Sequence, residues 1–202
     1  MRLAIDINDV YRDFSYQFMQ CYLRGVDDTF EIEESDITSS NLDEVFPFDT
    51  RDEYLEFRYR DYAYEIYGRS ECIDQFVRGN LNMWVETTLQ NLDEGKVPEV
   101  MMFSAFEYDT TIQATYAFLA ANPLKIRELY MPMNSFDVFN KCDVLITANP
   151  ELIANAPEGK IVIKIEKPYN KDVECKYSFR TINDLINDPD ETVIKILNGE
   201  FE

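Results

Sequence analysis

The sequence predicts an α/β protein: a doubly wound, mostly parallel sheet that carries a helical insertion. Three observations lead there. Leu3-Ala4-Ile5-Asp6-Ile7 is a short apolar run closed by a polar turn, which reads as a buried strand. The interval from Ser15 to Lys96 has helical spacing throughout and no strand signal. From Val97 onward strands alternate with helices, the pattern of a parallel sheet joined by right-handed crossovers. The expected division is a core of residues 1–14 and 97–202 around a helical cap insertion of residues 15–96.

The elements follow in order. Arg2–Ile7 is the first strand. A helix is expected from Val10, with Val10, Phe14, Phe18, Cys21 and Tyr22 on one face and Gly25 and Asp27-Asp28 as its stop. Residues 31–48 are acidic and irregular. Thr50, followed three positions on by Glu53, has the form of a capping box. The helix it starts carries Leu55, Tyr59, Tyr62 and Ile66 on one face and ends at Gly68. Ser70 is expected to cap a second long helix through Ile73, Val77, Leu81, Trp84, Thr88 and Leu92, closed by Gly95. The second half reads as a strand at 97–104, a helix at 110–121, strands at 126–131, 143–147, 160–166 and 177–180, a short helix at 151–155 and a terminal helix over 181–197.

Composition narrows the function. Of 202 residues 46% are hydrophobic, enough for a real core, and 13 Tyr with 14 Phe stand against only 6 Gly. The formal charge is −20, which leaves the chain poor in the basic surface a phosphate backbone needs, so direct binding to nucleic acid or to an anionic membrane is not expected. Lys160, Lys164, Lys167, Lys171 and Lys176 form the one basic cluster and read as the solvent-reaching ends of a strand. There is no histidine, and Cys21, Cys72, Cys142 and Cys175 are widely spaced, which removes zinc sites of the usual kind and every His-based triad. The thiols read as reduced core residues. With no signal-like leader and no apolar run of bilayer length, a soluble, cytoplasmic protein is expected.

Two stretches carry a family resemblance: Leu3-Ala4-Ile5-Asp6-Ile7-Asn8-Asp9-Val10, and Asp143-Val144-Leu145-Ile146-Thr147-Ala148-Asn149-Pro150-Glu151-Leu152-Ile153. With the helical insert after the first strand, they resemble the haloacid-dehalogenase superfamily, closest to its 5'(3')-deoxyribonucleotidase branch. The resemblance implies an aspartate nucleophile at the first strand end, where Asp6 stands. Two residues on it implies a second aspartate as acid/base. Asn8 is there instead, and loss of such a group costs about 10²–10⁴-fold. The Ser or Thr of the second motif matches Ser104. The third implies a lysine, yet Asn134–Asp137 occupy its slot, and neither Lys125 nor Lys141 has the spacing. The fourth implies carboxylates for Mg²⁺, where Thr147 and Ala148 stand. Asn149 offers one neutral oxygen, and Asp9 serves only if the loop is rebuilt.

The combined losses give the expectation of a catalytically degenerate domain with no cofactor and no metal, serving as a structural or protein-binding subunit. The partner is then another protein or a second copy of the chain. Residue usage has the flavour of an AT-rich genome, and a bacteriophage tail or neck assembly is the suggested setting, placing the protein in host cytoplasm or virion. The expected contact surface is the insert: the helix with Tyr54, Tyr59, Tyr62 and Tyr67, and its neighbour around Trp84, because aromatics on several faces of one helix exceed what a single packing side needs. The rival reading is an active Mg²⁺-dependent 5'-nucleotidase or phosphatase with a rearranged site, in which Asp6 would bind the metal and Asp6, Asn8 and Ser104 would line the catalytic centre. A third reading is a nucleotide sensor that uses the old cleft.

Overall fold

In the computed structural model, which describes residues 1–89, 92, 97–105 and 108–200, six strands form one sheet. They are β1 (Arg2–Asp6), β2 (Glu99–Phe103), β3 (Glu128–Tyr130), β4 (Val144–Thr147), β5 (Ile161–Ile165) and β6 (Tyr177–Phe179), in the order β3-β2-β1-β4-β5-β6. Every neighbouring pair is parallel. The registers Asp6↔Phe103 and Ile5↔Ile146 bring Asp6, Ser104 and Thr147 to the same end of three adjacent strands, as the motif order requires. The helices are α1 (Phe14–Gly25), α2 (Arg51–Glu56), α3 (Val77–Met83), α4 (Asp109–Ala121), α5 (Pro150–Ala154), α6 (Ile182–Ile186) and α7 (Thr192–Asn198).

Strand side chains alternate between faces, and both faces are covered, as a parallel sheet demands. Leu3, Ile5 and Ile7 pack on one side with Phe118 of α4 and with Ile182, Leu185, Val193 and Ile196 of α6 and α7. Ala4, Met101, Phe103 and Leu145 face the other way, onto Val138, Phe139, Leu152 and Ile153. A third cluster belongs to the insert, where Phe18, Tyr22, Phe46, Tyr54 and Phe57 meet edge-on or tilted and Tyr67 stacks on Tyr59, with Ala114 of α4 as its contact on the core.

Several expectations are corrected. The first helix starts at Phe14, not Val10, because residues 7–13 close into a loop: the amides of Tyr11 and Arg12 donate to Ile7 O, and Asp9 N donates to Arg12 O. Ser70 caps nothing; its hydroxyl donates back to Ile66 O, and α3 begins only at Val77, where Asp74 accepts from the amides of Phe76 and Val77. The single helix expected over 50–68 starts as planned, with Thr50 Oγ1 accepting from Glu53 N, and then becomes two π-helical turns, Phe57–Asp61 and Tyr64–Gly68. The terminal helix is split at Pro189, and Asp188 restarts it by accepting from Thr192 N and Oγ1. Gly95 and Lys96 lie outside the described residues.

The larger correction concerns the insert. Val77, Leu81, Trp84, Val85 and Leu89 belong to the same buried cluster as Leu3 and Ile5, so the segment from α3 packs with the core rather than with the cap. Tyr54, Tyr59, Tyr67 and Trp84 are all buried, and Tyr62 is half-buried. They do not form the exposed contact surface the sequence suggested. Aromatics on several faces of one segment reflect an interior reached from several sides: the insert's own cluster, α1 and α4. Trp84→Ala should therefore lower stability by about 3–5 kcal/mol in urea denaturation, as expected for deleting a packed aromatic. An exposed contact residue would move it by less than about 0.5 kcal/mol.

Candidate functional site

The carboxyl ends of parallel strands are where an open α/β sheet leaves a crevice. A cleft of about 710 Å³ opens there, between the strand ends and the insert. Its floor holds Asp6, Asn8, Asp9, Ser15, Asn149 and Tyr169, and the insert contributes Arg51, Tyr54, Arg58 and Tyr67.

Asp6 ends β1 almost fully buried. Thr147 Oγ1 donates to its Oδ2 at 2.7 Å, and Asn8 N donates to its Oδ1 at 3.2 Å. Burial raises its pKa to about 7, with nearby Asp9 pushing the same way; the two hydrogen bonds and Arg12 only partly oppose this. Thr147 Oγ1 also accepts from Asn149 N at 3.0 Å, and Asn149 Oδ1 caps α5 by accepting from the amides of Glu151 and Leu152.

Asn8 is half-buried on the cleft floor, and its side chain is already engaged by protein groups. Its Oδ1 accepts from Arg12 Nε at 3.1 Å and Nη2 at 2.5 Å, and its Nδ2 donates to Ser104 Oγ at 3.5 Å. Arg12 Nη1 donates to Tyr67 O at 2.6 Å and Thr115 Oγ1 at 3.0 Å, while its guanidinium lies over the rings of Tyr67 and Phe118. Burial lowers the Arg12 pKa to about 10, which still leaves it charged at neutral pH. Ser104 is buried behind the cleft wall, between Phe103 and Ala105, which do line it.

Asp9 occupies the left-handed region at φ 57°, costly for a residue with a side chain. Three bonds hold it there: Ser15 N at 2.8 Å, Ser15 Oγ at 2.5 Å and Tyr169 Oη at 2.8 Å all donate to its carboxylate. Burial and the adjacent Asp9 keep the Tyr169 phenol protonated well above its ordinary range.

This donor set does not suit Mg²⁺, which takes hard oxygens, normally one or two carboxylates plus the substrate's phosphates. The Asp6 oxygens are engaged by Thr147 and an amide, those of Asp9 by Ser15 and Tyr169, and the oxygen of Asn149 by a helix start. Among the described residues no three His, Cys, Asp or Glu side chains gather as metal ligands. Among the described residues no lysine lines the cleft: Lys125 pairs with Glu86 and Lys141 lies over the Tyr130 ring, while Asp137 does not line it although Ser135 of the same 3₁₀ turn does. The cations that line the cleft come from the insert. Arg51 pairs with Asp43, and Arg58 donates to Tyr67 Oη and Tyr54 Oη while packed against the rings of Phe14, Tyr54 and Tyr59.

The structure thus brings together Asp6, Asn8, Ser104 and Thr147, all singled out from sequence. It adds Arg12 and Tyr169, which were not. Arg12 left one usable signal: a charge four residues after Asn8, inside a stretch that otherwise reads as buried. Tyr169 left none, because its approach depends on the loop after β5.

In urea denaturation, Asp6→Asn should change how stability varies with pH. In the unfolded chain Asp6 loses its proton near pH 4 (about 3.9 for a free side chain), and in the folded protein near 7. Between those values the folded state holds the proton more tightly, so the wild type loses stability from this group as pH rises, and the penalty is complete above about 7. Asp13, also raised to about 7 chiefly by burial, is common to both proteins and cancels. The variant should gain on the wild type by on the order of 2–4 kcal/mol between pH 4.5 and 8. A difference that stays flat with pH would mean that Asp6 is well solvated.

No family model matches the chain, and no curated protein matches it in sequence. Solved structures do match in fold. One is a haloacid dehalogenase-like hydrolase from Burkholderia xenovorans LB400, with TM-score 0.51 and 9% identity, over 95% of this chain and 97% of that one. Another is a dehalogenase solved with an intermediate complex, with TM-score 0.50 and 12% identity, over 91% and 94% of the two chains. Among the described residues no helix is long and apolar enough to cross a membrane. With its six parallel strands covered on both sides, the chain has the α/β fold of the haloacid dehalogenase-like hydrolases.

Proposed function

We propose that this protein keeps the hydrolase-like fold without its Mg²⁺-dependent phosphoryl-transfer chemistry and serves as a binding subunit. The observation that carries this reading is the engagement of Asn8. The residue at the position of the acid/base is an amide whose oxygen is already bound by a buried guanidinium. An amide cannot cycle a proton near neutral pH, and this one cannot turn toward a leaving group without giving up Arg12. Thr147 and Ala148, both buried, supply no carboxylate for a metal, and among the described residues no lysine lines the cleft to offset phosphate charge.

The partner in this reading is another protein or a second copy of the chain. Its support is the surface aromatics, a different set from the one the sequence emphasised: Tyr16, Tyr64, Tyr108, Tyr116 and Phe76 are between 41% and 64% exposed. A charge of −20 favours a partner with a relatively basic contact patch and an association weakened by salt. Residue usage keeps a bacteriophage tail or neck assembly as the proposed setting.

The test is hydrolysis. The purified protein is expected to release no phosphate from nucleoside monophosphates or an aryl phosphate, with or without Mg²⁺. Turnover that rises with Mg²⁺ and disappears in Asp6→Asn would overturn the reading in favour of an active phosphatase.

A further inference from the structure

Arg12 is the largest fully buried side chain among the described residues, and the acceptors of its hydrogen bonds are all neutral. A buried charge without a bonded counter-charge is costly, and its neighbourhood shows what offsets it. Both Asp6 and Asp9 lie close enough to act on it electrostatically, and two ring faces cover it. Its bonds join three parts of the molecule: the loop after β1 through Asn8, the insert through Tyr67, and α4 through Thr115.

We infer that Arg12 is the fixed internal cation of this site, gripping position 8 with two nitrogens and supplying from within the protein the positive charge beside Asp6 and Asp9 that an ion-recruiting site takes from solution. The charge arrives with the fold and needs no ion. It also closes the route by which the lost acid could return. Asn8 Oδ1 already receives both Nε and Nη2, the two nitrogens with which a guanidinium can grip the two oxygens of a carboxylate. An aspartate placed at position 8 would be held by Arg12 as an ion pair, so it would stay ionised and have no proton to deliver in the cleft.

Asn8→Asp distinguishes the possibilities. If Arg12 grips position 8, the variant melts higher than the wild type by roughly 2–4 °C, the size expected from about 1 kcal/mol in a protein of this length, and millimolar MgCl₂ does not move either midpoint. A variant that fails to fold, melts at or below the wild type, or is stabilised by MgCl₂ would overturn the inference. Calorimetric titration of MgCl₂ into the wild type is the second measurement. No binding heat is expected, and saturable binding that Asp6→Asn abolishes would show that the site recruits its cation after all. Turnover of a phosphate ester would overturn the functional reading while leaving the pairing of Arg12 with position 8 to be judged by these melting and binding data alone.

Discussion

The structure depends on a buried guanidinium. Arg12 sits where the first strand's loop, the insert and α4 converge, and four hydrogen bonds from its guanidinium hold all three. Without it, the loop of residues 7–13 would lose its tie to Tyr67, the insert one of its polar links to the sheet end, and Asp6 and Asp9 a nearby positive charge. Hydrophobic packing builds each of the three clusters, but it is non-directional. Arg12 is a directional element in how the insert meets the core, beside the bonds of Thr110 Oγ1 to Tyr59 O and of the Asp13 and Ile73 amides to Glu71 O and Tyr11 O.

Around that point, each polar group at the strand ends is assigned to another protein group. Thr147 serves Asp6, Asn149 serves α5, Ser15 and Tyr169 serve Asp9, and Arg12 serves Asn8. A satisfied buried network rigidifies, while a partly satisfied one is costly, so such networks change little by little only with difficulty. The cleft that remains is polar at its floor, and the insert's aromatics, packed around Arg58, form its wall.

Much of this was legible in the sequence. Strand-length apolar runs gave the core, and the positions of Asp6, Ser104 and Thr147 followed from strand ends alone, since parallel register brings those ends level. What failed was the reading of helical periodicity. Leu81 and Trp84 have the spacing of a helix face, but spacing does not say which neighbour that face meets, and they meet the sheet. Val10 shares that spacing with α1, yet it lies in a loop closed by the amides of Tyr11 and Arg12 donating to Ile7 O. Arg12 was passed over because a charged residue is ordinarily expected at the surface.

The two π-helical turns of the insert have a consequence for what the chain can tolerate. Nine residues of regular α-helix are about two and a half turns, which would put Arg58 and Tyr67 on opposite sides. Here the guanidinium of Arg58 reaches the Tyr67 hydroxyl at 2.8 Å, because the π-helical turns and the break at Tyr62 rephase the segment. The shape of the cleft wall is therefore recorded in the number of residues between Phe57 and Gly68 as much as in their kinds. Replacements in this stretch can be absorbed by repacking, whereas loss of a single residue would rotate everything after it, turn Tyr67 away from the cleft and displace the carbonyl to which Arg12 is anchored.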